Sequence, residues 1–297
     1  MKLPPNKPQF LGSDVSHLNW DDVKFVIIQA PLEKTVSYGK GTSRAPHAII
    51  KASAYIELFD EELEIETPDT KVYTLSPLDF MNLSLEDSLK TIEDTSLNVM
   101  EEKKFPILIG GEHSVSIAFA RAIKKIYDNF HVVHLDAHAD MRDEYEGNIC
   151  SHACAMRRIV EMGLDHTSIG IRSLSREEFD FIKPKRKNYI FANEIVEDPS
   201  WIDRAIDTIP DIPVFLTLDV DVFDSALLPH TGTPEPGGLA WYDVITFLKR
   251  LVQERKVVAA DFVELAPSDE SKASDFMIAK LIYKFINYLW FYKLGRC

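Results

Sequence analysis

The sequence predicts an α/β protein built on an open parallel sheet with helices on both faces. Three observations carry this. Eight short, largely β-branched apolar runs recur along the 297 residues, they lack the inside/outside alternation of a half-exposed strand, and stretches of helical periodicity separate them. In order, the candidate strands are KFVIIQA at 24–30, KVYTL at 71–75, FPILIG at 105–110, HVVHLD at 131–136, SIGI at 168–171, NYIFA at 188–192, VFLTLD at 214–219 and VVAADF at 257–262. Clear helical segments are expected at 84–103 and 114–127. A last helix from about Ser274 combines Phe276, Ile278, Leu281, Ile282, Phe285, Leu289 and Trp290, an apolar surface wider than one stripe, which suits core packing or a subunit interface. Neither an internal repeat nor a low-complexity linker interrupts 1–297, so a single domain is expected.

Composition narrows the function. With 33 basic against 47 acidic residues the formal charge is -14, which opposes binding to nucleic acid or to an anionic membrane. The most apolar segment, 276–292, is broken by Lys280, Lys284 and Asn287 and falls short of the roughly 20 residues a membrane span needs. The N-terminal stretch MKLPPNKPQFLGSD lacks the apolar core of a signal peptide, and the 3 cysteines, with Cys150 and Cys154 in a C-x3-C spacing, match neither a zinc knuckle nor a redox pair. A cytoplasmic protein with reduced thiols is the expectation.

The chemistry concentrates where strands end. HVVHLD runs directly into Asp136-Ala-His138-Ala-Asp140, where a period of two sets three potential ligands on one side of an extended backbone and alanine leaves room between them. The carboxyl end of a strand is also where open α/β sheets bind ligands. FPILIG ends in Gly110-Gly111, which permits a tight turn before His113, and Ser114 is placed to cap the following helix. VFLTLD ends in Asp219 and Asp221, again spaced by two, and paired carboxylates at that depth repel unless cations hold them. Two imidazoles and four carboxylates suit Mn(II), while ligand type alone leaves Zn, Fe, Co and Ni open. Two ions bridged by carboxylate and hydroxide would polarise and attack a planar carbon. His152, in a loop that returns after the cluster, is a candidate proton shuttle. Glu264, past the last strand, suits either a cationic substrate or a strand-end ion pair. His134 shares the phase of the cluster but lies deeper, and is expected in the core or behind the ligands.

The succession GGEHS, DAHAD, SHA, DVDVFD with HTGTPEPGGL, and DFVEL resembles the ureohydrolases, the arginase and agmatinase family, over roughly 38–265. The resemblance implies an arginase/deacetylase-like fold, a three-layer α/β/α sandwich around an eight-stranded mostly parallel sheet. It implies hydrolysis of a guanidinium group to urea and an amine by a metal-bridging hydroxide. Position by position it implies one Mn(II) on His113, Asp136, Asp140 and Asp219 and a second on Asp136, His138, Asp219 and Asp221, two per subunit. Glu264 would pair with the guanidinium, Asp140 and His152 would pass protons, and Thr233 would line the substrate pocket. The stretch 141–147, with Asp143, Glu144 and Glu146, looks like agmatinases rather than arginases, since an acidic loop complements the bare ammonium tail of agmatine; Asp143 and Glu146 are the expected contacts. Agmatine to putrescine and urea is therefore the expected reaction. Another ureohydrolase (an arginase, guanidinobutyrase or guanidine hydrolase) and a catalytically silent metal-binding regulatory protein are the alternatives. By analogy a homotrimer or homohexamer is expected.

Overall fold

The computed structural model describes residues 7–12, 19–67 and 71–294. Each of the eight apolar runs forms a strand of one sheet: β1 Phe25–Ala30, β2 Val72–Thr74, β3 Phe105–Gly110, β4 His131–Leu135, β5 His166–Ile171, β6 Tyr189–Phe191, β7 Pro213–Asp219 and β8 Lys256–Val263. Every pairing in it is parallel. The order across the sheet is β2-β1-β3-β8-β7-β4-β5-β6. The chain thus reaches β6 at one edge and then returns, so that its last two strands slot between β3 and β4. This return makes the four strands whose ends carry the candidate ligands contiguous, and the register Leu135↔Leu218 and Val263↔Asp219 sets their carboxyl ends side by side.

Side chains alternate across the sheet into two apolar layers. Ile27, Ile109, Leu135, Leu218 and Phe262 face the helices α1 (Ala45–Ser53), α7 (Trp201–Thr208), α8 (Trp241–Glu254) and α9 (Ala273–Leu289). Leu108, Val132, Phe215 and Ala259 face α2 (Leu85–Glu101), α3 (Val115–Ile126) and α4 (Ala155–Glu161). Burial on both faces explains why the strand sequences do not alternate in polarity. Two short helices, α5 (Arg176–Ile182) between β5 and β6 and α6 (Ala192–Glu197) directly after β6, and a short antiparallel hairpin of Phe59–Asp60 with Ile65–Glu66 beside α9 complete the periphery apart from short helical turns. Cys150 and Cys154 are buried and free, while Cys297 lies outside the described residues.

The expectations for the helices hold with local differences. Ser84 caps α2 by accepting the Asp87 N–H at 3.0 Å, as its position before a helical run predicts. The wide apolar surface of α9 is core packing, since Ile278, Leu281, Ile282 and Phe285 are fully buried within the chain. The polar residues that interrupt it have partners: the Lys284 ammonium donates to Asp60 at 2.8 Å and pairs with Glu62 at 2.8 Å, and Asn287 donates to Asp60 at 2.8 Å. Among the described residues no helix is long and apolar enough to cross a membrane. Removing one partner of a buried pair strands the other charge, so Lys284→Ala is expected to cost about 3 kcal/mol. Urea denaturation checks this, and a loss below about 1 kcal/mol would show that Asn287 alone satisfies Asp60.

Candidate metal centre and active site

The ends of β3, β4, β7 and β8 surround a cavity of about 270 Å³ lined by His113, His138, Asp140, His152, Asp219, Thr233, Glu235 and Glu264, among others. Each strand delivers its group by a different local device. After β3, the Gly110-Gly111 pair is needed for close approach: a Cβ on Gly111 would stand 2.1 Å from the Leu32 carbonyl oxygen. That approach lets Gly111 N–H donate to Ala30 at 2.9 Å and fixes the corner from which His113 projects. Ser114 does not cap α3 as its position suggested; its hydroxyl donates instead to the Glu112 carboxylate at 2.6 Å, because Glu112 lies buried beneath it.

After β4, Ala137 and Ala139 are fully buried while His138 is partly open to the cavity, the alternation expected of an extended D-x-H-x-D. The run ends at Asp140 in a left-handed conformation, φ 51°, and Glu264 past β8 is left-handed as well, φ 68°. Such backbones cost of order 1–3 kcal/mol each in non-glycine residues, and here they turn the two carboxylates back over the strand ends. After β7, Asp219 accepts the Asp221 N–H at 2.9 Å, and Asp221 accepts the Ala137 N–H at 3.0 Å, which ties the two acidic motifs together.

The six ligand candidates converge in two groups. His113 Nδ1 lies 3.1 Å from Asp136 Oδ2, 3.2 Å from Asp140 Oδ2 and 3.4 Å from Asp219 Oδ2. His138 Nδ1 lies 2.9 Å from Asp221 Oδ2 and 3.6 Å from Asp136 Oδ1. Asp136 thus turns one oxygen to each group, as a bridging ligand must. His113 Nε2 meets the Thr217 hydroxyl at 2.9 Å, which leaves Nδ1 buried with no hydrogen-bond partner while facing three carboxylates. His134 is the buried residue behind the ligands that the sequence suggested: its Nε2 meets Asp136 Oδ2 at 2.8 Å, an interaction that orients the carboxylate.

Electrostatics show what such a site needs. Burial opposes charge on His113, yet the carboxylates of Asp136, Asp140 and Asp219 outweigh it and hold the imidazole well above its usual range. His138, also opposed by burial, is pushed up to about 12 by Asp221 and Asp136. Burial and the neighbouring Asp221 and Asp136 raise Asp219, and burial with Asp136 raises Asp221. Buried carboxylates this crowded require positive charge among them, and the oxygen-rich set with two imidazoles and an orphaned imidazole nitrogen fits divalent cations.

The other candidates divide. His152, Glu264 and Thr233 line the same cavity as His113 and Asp219. Asp143 and Glu146 are exposed and stand outside the cavity lining. The Asp143 carboxylate accepts from Arg158 at 2.7 Å, with Arg157 at 3.7 Å, so its charge is already answered by these two side chains. A further acid that lines the cavity beside Asp140, Asp219 and Glu264 is Glu235, 3.9 Å from His138 Nε2, which sequence reasoning passed over within the T-G-T-P-E-P-G-G turn. Arg172 holds that turn by donating to the Asp221 carbonyl at 2.7 Å and the Glu235 carbonyl at 2.8 Å. Glu112 and Thr35 were also missed.

A family model described as "Arginase family" matches residues 23–287. A protein of Synechocystis named N(1)-aminopropylagmatine ureohydrolase is 40% identical over 293 residues, covering 97% of this chain and 95% of its own. A protein of Pyrococcus horikoshii named agmatinase is 33% identical over 268 residues, covering 90% of this chain and 92% of its own. Among solved structures, the agmatine ureohydrolase of Thermoplasma volcanium superimposes with a TM-score of 0.85 at 30% identity, covering 98% of this chain and 97% of its own.

Proposed function

The chain belongs to the arginase family of hydrolases, and from that membership we propose that it hydrolyses the guanidinium group of agmatine, releasing urea and putrescine. One observation supports this above the rest: the buried Glu264 carboxylate, lining the cavity with His113, Asp140 and Asp219, offers a planar guanidinium two acceptor oxygens beside the metal ligands. His113, Asp136, Asp140 and Asp219 would hold one Mn(II), and Asp136, His138, Asp219 and Asp221 the other. When bound, such a pair supplies an activated water and Lewis-acid polarisation at neutral pH.

The chain's own groups do the rest. Glu264 binds and orients the guanidinium, with its main-chain N–H fixed on the Gly111 carbonyl at 2.8 Å and its carbonyl on the Thr231 hydroxyl at 2.9 Å. Asp140 and His152 carry a proton to the leaving nitrogen, so that the C–N bond breaks with departure of a neutral amine rather than an amide anion. Glu235, which lines the cavity where Asp143 and Glu146 do not, would attract the ammonium tail.

A second reading, hydrolysis of N(1)-aminopropylagmatine, is favoured by the name of the Synechocystis relative. The two substrates share the guanidinium and differ only in the tail. Urea release by the Mn-loaded protein from agmatine, N(1)-aminopropylagmatine, arginine, guanidinobutyrate and guanidine decides between them, with agmatine expected to give the highest kcat/KM. An aminopropylagmatine value more than tenfold higher would establish the second reading. Preference for any of the other three would overturn both, and release from none would leave a silent metal-binding protein.

A further inference from the structure

His152 is surrounded on one side by a set of hydrogen bonds that the active-site description does not use. The buried Glu112 carboxylate accepts four donors: the main-chain N–H groups of Lys34 and Thr35 at 2.6 Å each, the Ser114 hydroxyl at 2.6 Å and the Thr35 hydroxyl at 3.0 Å. Thr35 Oγ1 in turn accepts the His152 main-chain N–H at 3.0 Å and lies 3.3 Å from His152 Nδ1. The Ser151 hydroxyl is also 3.3 Å from Nδ1. Thr35 lies in the loop after β1, 117 residues before His152, and Glu112 at the end of β3 pins it there.

A threonine hydroxyl has one hydrogen and two lone pairs. Two main-chain N–H groups can only donate, so they hold Glu112 Oε2 as an acceptor, and the Thr35 hydrogen is directed to Oε1. One Thr35 lone pair then takes the His152 main-chain N–H, and the other faces Nδ1. That remaining contact is a hydrogen bond only if Nδ1 bears the hydrogen. We propose that Thr35, anchored by Glu112, is a positioning residue that fixes His152 as the Nδ1–H tautomer and so keeps Nε2 as the atom through which a proton is exchanged. Resting on the reading of His152 as the proton carrier, it deepens the proposed function. Ser151 can serve either as acceptor or as donor at Nδ1, so the constraint comes from Thr35.

Two measurements test this, and the first needs no substrate. In chain labelled with 15N-histidine, with His152 identified by the resonance lost in His152→Asn, the nitrogen shifts are expected to show Nδ1 protonated and, in Thr35→Val, a mixture of tautomers. A wild-type His152 protonated at Nε2 alone overturns the proposal even if the protein releases no urea. In the Mn-loaded enzyme, Thr35→Val is expected to lower kcat about tenfold with KM changed less than twofold, Thr35→Ser to restore it to within twofold, and Ser151→Ala to leave it unchanged. In the His152→Asn background Thr35→Val should cost nothing further. A full loss that persists in that background, or full activity in Thr35→Val, overturns it; if Thr35→Val does not fold, Thr35→Ala is read by the same criteria.

Discussion

His138→Ala protein is expected to carry one metal ion per chain where the parent carries two, and to lose about 10³-fold in kcat, since Lewis-acid stabilisation is worth several kcal/mol. The asymmetry follows from how the two groups are built. His113, Asp136, Asp140 and Asp219 converge within 3.4 Å of one imidazole nitrogen, so that group keeps all its donors. The other depends on His138 for its imidazole, and once it is gone only the carboxylates proposed for that ion, Asp136, Asp219 and Asp221, remain. The fold should tolerate the change, because His138 faces the cavity, its side chain is 24% exposed, and the core-facing positions beside it are already alanine. Metal analysis after gel filtration reads the stoichiometry directly. Two ions per chain would remove His138 from the ligand set, and one ion with undiminished kcat would remove the second metal from the chemistry.

How much of this was visible beforehand depends on whether the signal is local. The eight strands were legible because apolar runs between helical segments report burial on both faces, and all eight occur where those runs lie. The convergence of the candidate ligands at the strand ends was legible because motifs such as D-x-H-x-D carry their geometry within a few residues. What failed was long-range. Nothing in the order of the motifs says that β7 and β8 return to lie between β3 and β4, although that return is what brings the motifs together. Thr35 carries no periodic or compositional mark, and only the fold sets it against His152. Glu112 carries no mark of its own inside G-G-E-H-S, since a single acid beside a histidine is usually solvated, yet it is fully buried with four donors on it. Asp143 shows the opposite case. An acidic loop suggests cation binding until its partners are counted, and the Arg157-Arg158 pair in S-H-A-C-A-M-R-R was the available sign that its charge would be answered internally.

Glu264→Gln is expected to keep both metal ions and the fold, and to lower kcat/KM by about 10²- to 10³-fold, the effect of breaking a desolvated charge pair worth roughly 2–5 kcal/mol. Glutamine preserves the volume, and its amide oxygen can still accept the His113 N–H that Glu264 Oε1 accepts at 2.6 Å. The main-chain bonds to Gly111 and Thr231 do not involve the side chain. What is lost is the charge and one of two acceptors for a guanidinium. Burial, followed by Glu112 and Asp221, raises the Glu264 carboxyl well above its usual range. Without a cation in front of it this charge is therefore a burden on the fold, and the amide should leave the melting temperature unchanged or raise it. An unchanged or raised melting temperature with full metal content and a collapsed kcat/KM separates a group built for substrate from one built for structure. Retention of kcat/KM within tenfold, or loss of a metal ion, would mean that Glu264 does not meet the guanidinium.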